Sequence, residues 1–431
     1  MNGHRLVQRG AALCLALFAS IVLTMLTATP AQAEWGLDKM ENAATISVNQ
    51  NRRATSIDSW DTDWYKFSIA KQGVVQITFS NQQDSDADWS VKLTDASGEE
   101  IDDYDAPATT SSRTYTKIGL PAGTYYVKVY GDYDAEGLWY DLLVSYTAST
   151  SWETELNDRF EYADTISTGR TVYGSTREPY EYDWYKFSIS KPGMVQLSFS
   201  NQQASRGSWD VTLTDANTKE ITSYDFDATT ASRLGGKIGL PAGTYYVKVY
   251  SDYNSHGLQY NFKVNYTASS NWETELNNVF ENADPITLGK TIYASSMDGY
   301  EKDWFKFSLS KTTKVQVFFN NDQHSDGRWT VTLTDSNAKE IGSYRFDASN
   351  KGGSTPTMTL SKGTYYIEVY PNYACDGYNY NLRVAQPSQT RTMYRLYNRY
   401  TGEHFYTASA TERDSLRNSG WTYEGTGWIA P

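Results

Sequence analysis

Cysteine is almost missing from these 431 residues: Cys14 and Cys375 are the only two. No disulfide framework can be drawn from such a pair, so stability must come from hydrophobic cores, from bound ions, or from both. Histidine is nearly as rare. His256, His324 and His404 are scattered, and no His-x-x-x-His pair offers the spacing of a zinc hydrolase. A Gly-x-Ser-x-Gly elbow and a phosphate-binding Gly-rich loop are absent as well. Carboxylates are plentiful, but abundance alone does not make the spaced pair of a glycosidase. The chain is therefore not expected to be an enzyme.

Basic residues are also in deficit. Against 51 Asp and Glu there are 38 Lys and Arg, a formal net charge of -13, and no basic cluster interrupts the surplus. Nucleic acid and anionic membranes are poor partners for such a surface. The last shortage is of long apolar runs, of which one exists. Arg5 and Arg9 precede Ala11 to Leu26, and Pro30 and Ala31-Gln32-Ala33 follow. This pattern is expected to be a signal peptide over 1–33, because about 16 residues are short for a membrane span. It implies a protein that is secreted, extracellular or cell-surface associated. Cys375, the one cysteine left after cleavage, reads as a half-exposed loop residue.

What the chain has in excess is aromatic: 35 Tyr, 15 Phe and 13 Trp. Many recur at a fixed interval. Asp63-Trp64-Tyr65-Lys66-Phe67 returns at Asp183 and Asp303, Gly123-Thr124-Tyr125-Tyr126 returns at Gly243 and Gly363, and Trp89 matches Trp209 and Trp329. Every offset is 120 residues, which makes three tandem copies, 34–148, 149–268 and 269–387. Within a copy the period is two: Tyr185, Phe187 and Ile189 alternate with Lys186 and Ser188, as Val195, Leu197 and Phe199 do with Gln196 and Ser198. Alternation of this kind marks strands with one buried face. Eight strands are expected in the second copy, near 171–176, 183–189, 194–200, 209–214, 219–226, 235–240, 244–251 and 258–266. The fold class is all-β, two packed sheets per copy. From 390 to 431 the pattern changes to a small α+β unit. Met393–Asn398 and His404–Thr407 form a hairpin, Ser409 and Glu412 open a short helix, Gly420 ends it, and Trp421–Ala430 reads as a final strand pair.

The 120-residue copies resemble the bacterial pre-peptidase C-terminal domain family, which includes the collagen-binding domains of clostridial collagenases. The likeness is carried by Glu153-Thr154-Glu155-Leu156-Asn157-Asp158, by the strand at Asp183, and by Gly243-Thr244-Tyr245-Tyr246. It implies jelly-roll sandwiches. Residues Tyr394–Asn398 and Gly402–Thr407 are similar to a short secreted repeat of Gram-positive bacteria found at the ends of extracellular hydrolases.

Two chemistries follow. Calcium takes six to eight oxygen ligands, and the openings of copies two and three supply Glu153, Glu155, Asn157 and Asp158, and Glu273, Glu275, Asn277 and Asn278. The resemblance adds Ser175 and Asp183, and Ser295 and Asp303. Tyr180 and Tyr300 stand where that family has an acid, with Glu181 and Glu301 beside them as substitutes. Copy one has Trp35-Gly36-Leu37-Asp38 in place of the acidic opening, so no site is expected there. The other reading of these acids is a solvated linker. The second chemistry is aromatic. Alternation sends Tyr130, Tyr250 and Tyr370 to an outer face, and the resemblance matches Tyr250 and Tyr224 to collagen-contacting tyrosines. Cross-strand stabilisation alone is the other reading. Together these features describe a secreted non-catalytic binding protein for an extracellular polymer, a collagen-like protein or a cell-surface glycan, with calcium at two joints. The alternative is an accessory or spacer component of an exported hydrolase system.

Overall fold

The computed structural model describes residues 32–33, 36–82, 86–107, 111–204, 206–297, 299–322, 326–347, 352–387 and 391–430. Apart from Gln32 and Ala33, the expected signal peptide lies outside them, as does His324.

The second copy shows how the alternation becomes architecture. Its strands are β1 (Asp164–Thr165), β2 (Thr171–Ser175), β3 (Tyr182–Ile189), β4 (Gly193–Asn201), β5 (Ser208–Thr214), β6 (Glu220–Asp227), β7 (Ser232–Leu240), β8 (Gly243–Ser251) and β9 (Gln259–Ala268). One sheet has the order β1-β3-β8-β5-β6 and the other β2-β9-β4-β7. Successive long strands thus mostly alternate between sheets while the first pairs with the last, which is the jelly-roll arrangement. Only β1 runs parallel to its neighbour. The first and third copies repeat both sheets, with the strand matching β7 divided into Ser112–Thr114 and Ile118–Leu120, and into Gly352–Ser354 and Met358–Leu360.

Period two fixes what each strand buries. Along β3, Asp183, Tyr185, Phe187 and Ile189 turn inward. Trp209 fills the centre of the sandwich, its ring 5.7 Å from Phe199 and 6.5 Å from Tyr260; Trp89 and Trp329 are buried in the same way. Buried tyrosines need hydrogen-bond partners, and Tyr185 and Tyr260 find each other at 2.6 Å, as Tyr65 and Tyr140 do. The third copy has Phe305 at this place.

Two expectations are corrected. Cys375 is fully buried in the third core, because the 3-10 turn Tyr373–Cys375 points it inward, as the matching turns do for Ala135 and Ser255. In the C-terminal unit, β10 (Arg391–Tyr397), β11 (His404–Thr407), α1 (Ala410–Asn418) and β12 (Thr422–Ala430) form a three-stranded sheet with one helix. The expected strand pair at its end is a single strand, β12, which stays paired with β10 through two register shifts. Ser409 caps the helix by accepting from the Glu412 N–H at 3.2 Å.

Val249 is buried on β8 between Val211 and Asp183 of its two neighbours. Val249→Ala should remove about 2 kcal/mol from the second sandwich, read as a lower denaturant midpoint; an unchanged midpoint would invert the facing of β8.

Candidate functional site

The segments that open the second and third copies are fastened on two sides. Glu153 N–H donates to Tyr173 O at 2.9 Å and Tyr173 N–H to Ser151 O at 2.8 Å. The Trp152 ring stacks on Tyr173 at 6.0 Å. Two residues later the chain crosses to the preceding copy, where Glu155 N–H donates to Gly119 O at 2.9 Å. The third copy repeats this with Trp272 stacked on Tyr293 and Glu275 N–H donating to Gly239 O, also at 2.9 Å. The crossing is so close that a Cβ on Gly119 or Gly239 would stand 1.9 Å from the carbonyl oxygen of Glu153 or Glu273. Glycine is required there by contact, and the matching residue of the third copy is Thr359. Ser175 and Ser295 belong to the same seam. Their hydroxyls donate to Lys117 O and Lys237 O of the copy before, while their N–H groups donate to Glu153 and Glu273 at 2.6 Å.

Fastened in this way, the acids turn inward. Glu153, Glu155 and Asn157 are 1%, 7% and 0% exposed, and Glu273, Glu275 and Asn277 are equally buried. The solvated-linker reading does not fit such burial. In the second copy, carboxylate oxygens of Glu155, Asp158, Glu181 and Asp183 lie within 4.8 Å of one another; in the third, those of Glu273, Glu275 and Asp303 do. Glu181 does join the group, and its Oε2 accepts from Arg177 N–H at 2.6 Å. Glu301 accepts from Met297 N–H at 2.7 Å in the same geometry, and Asn278 donates to it at 3.0 Å. Asp183 and Asp303 each accept from a buried tyrosine, Tyr260 at 2.6 Å and Tyr380 at 2.5 Å. The two clusters differ in one respect that the sequence reading overlooked. Arg177 places Nε 3.0 Å from Glu155, and Nη2 2.9 Å from Asp158 and 2.7 Å from Glu181. Its Nη1 donates to Ile101 O of the first copy. In the first copy Asp61 takes the place of Glu181 and accepts from Ile57 N–H at 2.7 Å.

Burial and mutual repulsion push these acids toward their protonated forms. Glu153 is raised to about 7 and Glu181 to about 8, by desolvation first. Glu155, Asp183, Glu273 and Glu275 are raised well above the ordinary range for the same leading reason. Three or four carboxylates with an amide oxygen in one dry pocket suit a hard divalent cation, which would keep them ionised.

The outer sheet face carries the aromatic residues. Tyr250 lies opposite Tyr182 and Asp210 on the flanking strands, its ring 4.8 Å from that of Tyr182. In the first copy Trp60 stacks on Tyr130 at 6.3 Å. A lysine closes each group: Lys128 is 5.6 Å from the Tyr130 ring, Lys248 5.8 Å from Tyr182, and Lys302 5.5 Å from Tyr370. Tyr224 is elsewhere. It pairs with Val211 on the inward phase of β6, packs over Gly235 and donates to Gly236 O at 3.4 Å, so Tyr224 and Tyr250 share no surface. Of the two residues treated as departures from a metal motif, Tyr180 lies among aromatics instead, its ring 6.2 Å from that of Tyr253. Trp60, Tyr180 and Tyr300 are 58%, 57% and 65% exposed, and Trp60 and Tyr180 hold φ of +67° and +66°. Bulky side chains rarely adopt that region. Their aromatic identity in all three copies was the available signal.

Because the raised carboxylates bind protons more tightly when folded than when unfolded, acid favours the folded state. With a chelator present, the melting temperature should rise as pH falls from 8 toward 5, through the values near 7 and 8 set by Glu153 and Glu181. A flat profile would mean that these acids are not buried together.

Comparison with known proteins agrees with this architecture. Residues 61–131, 181–251 and 301–371 each match the bacterial pre-peptidase C-terminal domain, and residues 343–431 match a domain of unknown function, DUF5648, whose span begins inside the third sandwich. Collagenase ColA of Clostridium perfringens is 26% identical over 245 residues, 54% of this chain and 22% of the collagenase. Collagenase ColT of Clostridium tetani is 23% identical over 243 residues, 54% of this chain and 24% of the collagenase. The chain thus spans under a quarter of either relative. The solved pre-peptidase C-terminal domain of a Bacillus anthracis collagenase aligns at 24% identity over 24% of this chain and 94% of its own, with a TM-score of 0.20. Among the described residues no helix is long and apolar enough to cross a membrane. The chain thus carries three bacterial pre-peptidase C-terminal domains in tandem and in one register, followed by a domain of unknown function.

Proposed function

We propose that this chain is a secreted, non-catalytic binding protein that attaches to an extracellular polymer, collagen-like protein or cell-surface glycan, through its three aromatic faces. The observation that carries this reading is the repetition of one outward tyrosine, Tyr130, Tyr250 and Tyr370, on the same strand of each sandwich. Tyr130 and Tyr250 each stand beside another exposed aromatic, Trp60 and Tyr182, and a lysine lies near each of the three groups. Tyrosine on a rigid sheet supplies broad amphipathic contact with little ordering to lose. Three weak sites on one chain gain by effective concentration when the target is itself repetitive. Similarity to collagenases supports a collagen-like target in particular. The apolar run at 11–26 supports export.

Calcium belongs to the same proposal, bound where one sandwich meets the next. The support is the buried acids gathered there and the unpartnered oxygens of Glu275 and Asn277. A cation bound only by the folded form stabilises it by about 2.7 kcal/mol at a hundredfold excess over Kd, so calcium should raise the melting temperature.

The binding reading is tested by replacing Tyr130, Tyr250 and Tyr370 together with Ala in the full chain. Binding to collagen fibrils or to purified wall glycan should fall at least thirtyfold, since one hot-spot aromatic is worth about 2 kcal/mol. Melting should change little, because these rings are half exposed. Undiminished binding by the folded variant would remove the tyrosines from the site. If the wild-type chain binds no polymer but co-purifies with an exported hydrolase, the accessory-component reading replaces this one.

A further inference from the structure

The two acidic joints are built from largely matching residues, yet three substitutions separate them, one of which puts Asn278 in place of Asp158. At position 177 the second copy has arginine and at 297 the third has methionine. The Arg177 guanidinium is within 3.0 Å of Glu155, Asp158 and Glu181 and its side chain is only 4% exposed. Met297 packs instead against the core of the second copy. The third difference is Tyr185 against Phe305. Tyr185 donates to Glu153 Oε2, and the Tyr260 hydroxyl, which donates to Asp183, lies 3.2 Å from the same oxygen. In the third copy the first of these hydroxyls is gone, and the donor to Glu273 Oε2 is the Asn277 amide at 3.4 Å. The changes at 297 and 305 remove donors from the third cluster. Neither oxygen of Glu155 or Glu275 accepts a hydrogen bond, nor does Asn157 Oδ1 or Asn277 Oδ1, but Glu155 has the Arg177 guanidinium 3.0 Å away and Glu275, 7% exposed, has only Met297 in that place. Polar atoms buried without a partner are costly, and a cation would satisfy those of Glu275 and Asn277.

Negative charge does not distinguish the joints. Arg177 set against Glu153, Glu155, Asp158, Glu181 and Asp183 leaves the same formal surplus as Glu273, Glu275, Glu301 and Asp303 with no cation. The difference is what already stands among the carboxylates. A guanidinium presents five N–H donors in a rigid fork and keeps its charge at any working pH.

We propose that Arg177 is a built-in replacement for the metal ion in the second copy, so that only the third copy takes up calcium. This rests on the reading that these joints are calcium sites. The first joint is then metal-independent, tied across to Ile101 by the same arginine, while the second stiffens only when calcium is present.

Titration of the full chain with calcium chloride after chelator treatment should give one ion per chain. Arg177→Met should raise this to two. Met297→Arg should abolish binding and raise the melting temperature in chelator above that of the wild type. Glu275→Gln should eliminate the wild-type ion and Glu155→Gln should leave it, a pair that holds the test even if Arg177→Met fails to fold. Two ions in the wild type, or one ion lost in Glu155→Gln and kept in Glu275→Gln, would overturn the assignment of Arg177 while leaving calcium at the joints. No binding by either the wild type or Arg177→Met would overturn the calcium reading itself, and this inference with it.

Discussion

Everything distinctive about this protein depends on one close approach. The acidic segment opening a copy lies against an edge of the copy before it, near enough for Glu155 and Glu275 to donate backbone hydrogen bonds to Gly119 and Gly239. That approach excludes water from the seam. It also turns the glutamates away from solvent and brings them together with Asp183 and Asp303, the inward-facing aspartates at the start of β3 and of its counterpart in the third copy. Carboxylates placed together in a dry space repel one another and resist ionisation. The joint therefore favours protonated acids or a positive charge set among them, and in the second copy Arg177 is such a charge. Connection between modules and ion chemistry are consequences of the same contact.

Much of the fold was legible beforehand because its signal is strictly periodic. Alternation of Tyr185, Phe187 and Ile189 with polar neighbours requires one buried face, and the 120-residue repeat lets each copy check the others. The eight strands of the second copy fall where the alternation puts them. The short β1 strand was not legible, since two residues carry no period. The continuity of β12 as a single strand was not either, because a bulge interrupts alternation and resembles a turn. Cys375 was misread for a related reason: its direction is set by a 3-10 turn rather than by a strand phase.

The acids of the candidate site could be found by their type and clustering. Arg177 could not. It is four residues before Glu181 in a loop without periodicity, and its reach to Asp158 and to Ile101 of the preceding sandwich depends on how two copies dock. Tyr224 shows the opposite hazard. It was named through the resemblance alone, and the phase of β6 puts it opposite Val211, half-buried and off the face that carries Tyr250. Trp60, Tyr180 and Tyr300 were visible as a repeated aromatic and passed over because an acid was sought there. In Trp60 and Tyr180 the bulky ring is held at positive φ, which points to contact rather than backbone comfort as its reason.

The seam also gives the array a direction and an end. Each sandwich offers its edge to the one that follows and is completed by the one that precedes it, so the copies cannot be reordered freely even though their folds are alike. A residue with a side chain on that edge closes it to a successor of this kind. Thr359, exposed on the third copy where Gly119 and Gly239 lie on the first two, makes that sandwich a terminus by shape. Lengthening the array by inserting another acid-opened copy after the third would require glycine at that position first.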